Sequence, residues 1–123
     1  MAKPGTIPIT IGGEAKQWRL DTNDMCEVEA LLQVRRGARL DFVWAYLPQI
    51  STWTSEDYRL VLWAGLRYLD KELTEEKVGA ELSLLEAQEF RLAFSQWANS
   101  MLPEALKKKV VEFQATNGTS SNS

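Results

Sequence analysis

The sequence predicts a mainly α-helical fold: a small helical domain with an N-terminal two-stranded β-hairpin and a disordered C-terminal tail. Three observations predict it. Apolar residues alternate with period two only between Ile7 and Leu20. From Asp21 to Phe113 they recur at helical spacing, punctuated by capping residues and by Gly37, Pro48 and Pro103. Beyond that point Ser, Thr, Asn and Gly dominate with no apolar period, as in chains that cannot bury enough surface to fold. The length of 123 residues suits one domain. The expected division is a single helical domain over 1–114, with its hairpin at 7–20, and a polar tail over 115–123.

The hairpin rests on Ile7, Ile9 and Ile11, followed by Gly12-Gly13 and a second strand at Lys16 to Leu20. Two turns are open. A four-residue loop sets Ile9 opposite Trp18 and Ile7 opposite Leu20; a two-residue Gly12-Gly13 turn sets Ile9 opposite Lys16. Matching apolar side chains across the strands favours the longer loop. Pro8 lacks an N–H and predicts an edge strand.

Asp21 or Asn23 caps the first helix, in which Met25, Val28 and Leu32 share a face and Gly37 supplies the stop. Ala38 to Leu47 reads as a second helix, with Leu40, Val43, Trp44 and Leu47 on one side and Pro48 ending it. Thr54 or Ser55 caps the next, where Glu56 and Asp57 suit the dipole of the first turn. Its stretch Tyr58 to Leu69 is apolar nearly all round, which predicts the central, most buried helix. Gly65 within it marks a place where another element comes close. Thr74 opens a short helix ending near Leu82. Ser83 caps a long one whose stripe is Phe90, Phe94, Trp97 and Met101. Pro103 separates it from a last amphipathic helix, Glu104 to Phe113.

Lys plus Arg number 14 and Asp plus Glu 17, a net charge of −3, which argues against a nucleic-acid partner. The absence of histidine removes the commonest general base and metal ligand. The single cysteine, Cys26, lies beside Glu27 and near Glu29 and reads as inert. Glu56/Asp57 and Glu75/Glu76 are adjacent pairs that diverge on a helix, so they read as helix-start charges. Gly12-Gly13 has no phosphate-loop Lys-Ser/Thr beside it. The expectations are therefore no enzymatic activity, no cofactor, no metal, no small-molecule substrate and no membrane span. Met1 to Gly5 is followed by no long apolar segment, which predicts a cytosolic setting.

Two places are candidates for partner binding. Trp53 lies between helices, where an aromatic either anchors a partner or packs under its own loop. The last helix carries Leu106, Val110 and Phe113 on one face and Lys107, Lys108 and Lys109 elsewhere. It is either a solvated helix or one that docks on an acidic partner.

The order of pieces resembles one family. An Ile-x-Ile-Gly-Gly hairpin ends in Trp18-Arg19-Leu20-Asp21; a helix with Glu27-Val28-Glu29 follows. Then come Leu62-Trp63-Ala64-Gly65-Leu66 and Leu73-Thr74-Glu75-Glu76-Lys77-Val78-Gly79. Over roughly Ile7 to Pro103 this resembles the tail assembly chaperones of long-tailed bacteriophages and gene transfer agents. The resemblance implies a non-enzymatic protein that binds and solubilises the tape measure protein and helps recruit tail tube protein. It implies action in the host cell cytoplasm and absence from the mature virion. A hairpin edge that pairs between copies would make it a homo-oligomer. The alternative is a small structural component, a head-tail connector or tail-completion protein, retained in the particle.

Overall fold

The computed structural model of the chain describes residues 6–101, and the final helix and polar tail expected from the sequence lie outside them. Strand β1 (Thr6–Ile11) and strand β2 (Glu14–Arg19) form an antiparallel hairpin. Its register pairs Ile7 with Trp18, Ile9 with Lys16 and Ile11 with Glu14, so the turn is the two-residue Gly12-Gly13 and not the longer loop. Both glycines have positive φ, 60° and 82°, the backbone that a tight hairpin turn needs and that glycine adopts without steric cost. Ile9 and Ile11 are buried without an apolar partner across the strand because helices cover that face.

Helix α1 (Thr22–Arg36) begins at Asp21, whose carboxylate accepts from the Asp24 amide while Asp24 accepts from the Asp21 amide. This reciprocal box satisfies donors that a helix start leaves open. Gly37 ends it in the left-handed region with φ 76°. Helix α2 (Ser55–Leu66) begins at Thr54 with Asp57 closing a second box. Helix α3 (Glu75–Glu81) starts at Thr74, whose hydroxyl accepts from the Lys77 amide. Helix α4 (Leu84–Met101) is preceded by Ser83, which exchanges the same pair of bonds with Glu86.

The segment expected to be a straight helix from Ala38 to Leu47 departs from that form, and helical turns run on past Pro48 to Thr52. Asp41 caps a single widened turn, Phe42–Tyr46, followed by a tight 3₁₀ turn, Leu47–Thr52, that holds Pro48 near its start. Proline fits there because the first positions of a helical turn need no N–H. The widening changes which residues face inward. Phe42, Tyr46 and Leu47 are buried, and Trp44, expected in the core, is 58% exposed.

Trp18 sits at the centre of the core, fully buried. Its ring meets Phe90, Phe94 and Trp97 edge-on at 5.0–5.9 Å, and its Nε1 donates to the Val61 carbonyl at 2.9 Å. Gly65 is the seat for that indole: a side chain there would overlap the ring. Helix α2 is thus the central helix, with Leu60, Val61, Leu62, Ala64 and Leu66 buried.

Candidate functional site

The two basic residues of α1's last turn reach across the fold to acidic residues in the first turns of other helices. Arg36 pairs with Asp57 of α2 and Arg35 with Glu75 of α3. Asp57 also accepts from the Tyr46 hydroxyl at 2.5 Å and from the Thr54 amide at 2.9 Å. Burial pushes the Asp57 carboxyl up, but the bonds from Tyr46, Thr54 and Arg36 outweigh it and hold the group below the ordinary carboxylate range. Burial first, then the neighbouring carboxylate, pushes the Tyr46 hydroxyl far above its ordinary value. Asp24, the other buried carboxylate, is held by Arg67 at 2.7 Å and by the Asp21 amide. Each of these carboxylates is engaged in joining elements. Among the described residues no group of His, Cys, Asp and Glu is placed to hold a metal ion. No described helix is long and apolar enough to cross a membrane. Cys26 is exposed on α1.

Trp53 is 8% exposed. It stacks on Tyr46 at 4.4 Å, donates from Nε1 to the Tyr46 carbonyl at 3.2 Å and meets Phe94 at 5.4 Å. Of the two roles the sequence leaves open, packing under the loop is the one these contacts show, with 8% of the residue left exposed. The other sequence candidates, Leu106, Lys107, Lys108, Lys109, Val110 and Phe113, lie outside the described residues.

A different surface emerges on α4. Leu84 is 80% exposed, Leu85 64% and Leu92 68%. Leu85 and Leu92 are seven residues apart, so they stand on one line of the helix, opposite the Phe90–Phe94 stripe. Leu84 stands on the same line as Arg91, on the flank toward α2 and α3. That flank borders a groove of about 340 Å³, walled by Tyr58 and Leu62 of α2, by Leu82 after α3, and by Ala87 and Phe90 of α4. Arg59 and Arg91 also line it. Arg91 lies over the Tyr58 ring at 4.6 Å and donates to the Ser55 hydroxyl at 2.8 Å.

Sequence periodicity found the buried stripe of α4 and passed over this one. The signal was present: Leu85 and Leu92 at i and i+7 on a helix already carrying an aromatic stripe make it apolar on two sides. The groove has no comparable signature, because it exists only where three elements meet. No family model, curated protein or solved structure matches this chain.

Proposed function

We propose that the protein is a non-enzymatic binding protein of the tail assembly chaperone type. It covers aliphatic stretches of the tape measure protein in the host cytoplasm, keeps them from self-association and helps bring tail tube protein to them. The observation that carries this reading is the exposure of three leucines on α4, Leu84 at the rim of an open apolar groove and Leu85 and Leu92 on a second line of the same helix. Several large apolar side chains exposed on one helix mark an interaction surface more than scattered ones do. Covering one leucine is worth roughly 1.5–3 kcal/mol as an upper bound, and an amphipathic client helix can cover several at once. The family resemblance of the sequence supplies the identity of the client.

Co-expression with the tape measure protein followed by pull-down tests the reading. The double variant Leu85→Glu/Leu92→Glu should fold normally, since both side chains face solvent, and should capture the tape measure protein at least about tenfold less well. Undiminished capture would remove α4 from the binding surface. Finding the protein at fixed stoichiometry in purified particles would replace the chaperone reading with that of a retained structural component.

A further inference from the structure

The groove between α2, α3 and α4 has a charge as well as a shape. The charged side chains that line it are Arg59 and Arg91, with no carboxylate among its walls. That stands against a chain whose net charge is −3. The remaining walls are Leu62, Leu82, Leu84, Phe90 and small or hydroxyl-bearing residues. Arg91 has no carboxylate partner among the described residues, and Arg59 has only a shared one. Arg59 approaches Glu75 only to 3.7 Å, and Glu75 is already held by Arg35 through both carboxylate oxygens. The buried Nε of Arg59 has no hydrogen-bond acceptor among the described residues. The contacts of Arg91 are a neutral hydroxyl and an aromatic face.

We infer that this groove binds an amphipathic helical segment of a partner protein whose aliphatic stripe is flanked by Asp or Glu. Arg59 and Arg91 select for those carboxylates. The aliphatic residues fill the space over Leu62, Leu82 and Phe90 and extend onto Leu84. A carboxylate on one flank meets the Arg91 guanidinium, a planar fork suited to it, with the Arg59 charge nearby. A lysine-flanked segment of the same shape places like charges in a partly desolvated cleft and is rejected. The inference rests on the reading that the α4 surface binds protein, and it adds the charge character of what is bound.

The test uses the full chain and fluorescent peptides of about 15 residues, long enough to be helical when bound. One carries a leucine stripe flanked by Glu, one the same stripe flanked by Lys, and one the Glu composition with the stripe scrambled. The Glu-flanked peptide should bind at least about tenfold more tightly than either of the others. Its advantage over the Lys peptide should shrink at about 1 M salt, where charges are screened beyond roughly 3 Å. Arg91→Glu should reverse the preference, and amide shifts of the unmodified protein should move at Tyr58, Gly79, Leu82 and Ala87. Those shifts decide the matter even if the variant is less stable.

Equal binding of Glu and Lys peptides, or of the scrambled one, overturns the inference. So does a protein that sediments as a dimer until peptide is added, because the groove would then seat a second copy. Binding that tightens when residues 104–123 are removed overturns it too, since the chain's own segment would be the occupant. If no peptide binds while co-expressed tape measure protein is captured, the charge inference falls and the chaperone reading stands. If neither binds, both fall.

Discussion

Gly65 and Gly79 both sit in helices, and their neighbours give them opposite expectations on substitution. At Gly65 a methyl group would overlap the Trp18 indole, which is held by its bond to Val61 and by three aromatic neighbours. At Gly79 the nearest atom to an added Cβ is Arg59 Cδ at 3.2 Å, in a long side chain that can shift. Alanine gains about 1 kcal/mol over glycine in a helix interior, and overpacking a core costs about 1–3 kcal/mol or more. Gly65→Ala should therefore lower stability by at least about 2 kcal/mol, while Gly79→Ala should leave it unchanged or raise it by up to about 1 kcal/mol. Thermal melts of the two variants check the pair. Glu86 gives a residue-scale expectation with pH. Amides of Ser83, Gly13 and Gly12 donate to its carboxylate and hold its pKa down to about 2, against an ordinary 4.5. A depressed carboxylate stabilises the fold fully above its ordinary value and loses that contribution as pH falls through the folded one. The Gly12 and Gly13 amide resonances should titrate together with a midpoint near 2, and a midpoint near the ordinary value would mean that the bonds do not form in solution.

At the scale of elements, the helix starts were the most legible part of the sequence. Asp21, Thr54, Thr74 and Ser83 each cap where an acceptor side chain precedes an apolar run, because capping is decided within four residues. The hairpin strands were legible and their register was not. Matching isoleucines to Trp18 and Leu20 assumed that the strands cover one another, whereas α4 packs along β1 and turn chemistry is free to set the pairing. The stretch around Pro48 misled for a related reason. Periodicity supposes an unbroken 3.6-residue turn, and one widened turn before the proline was enough to carry Trp44 outward and Tyr46 inward. Trp53 shows what that rearrangement builds: Tyr46, brought inward, becomes its stacking partner and its acceptor. Trp53→Ala should accordingly cost about 3–5 kcal/mol, as much as Trp97→Ala, the usual loss for a buried aromatic. Denaturant titrations of both variants compare them directly, and a cost for Trp53→Ala below about 1 kcal/mol would contradict its place in the core.

For the whole molecule, the helical class with its N-terminal hairpin was readable because it is the sum of local patterns. The exposed leucines and the groove of α4 were not, because exposure depends on which helix faces the rest of the chain leaves uncovered, and no local pattern records that. The core draws its centre from both ends of the described chain: Trp18 from β2 and Phe90, Phe94 and Trp97 from α4. A chain ending at Leu82 should therefore lack a cooperative melt, and one ending at Pro103 should retain it; circular dichroism against temperature distinguishes them. The grip of Glu86 on the hairpin tip, across 74 and 73 residues, has a consequence for the protein while it is being made. Translation at about 5–20 residues per second separates the appearance of Gly12 from that of Glu86 by roughly 4–15 s. Throughout that interval the newly made hairpin lacks α4, and the faces of its isoleucines and Trp18 that α4 covers are open to whatever lies near the ribosome. The protein's own yield in the cell should then depend on how fast residues 83–101 follow, so that slow codons placed just before Ser83 would lower its soluble fraction without changing a single amino acid.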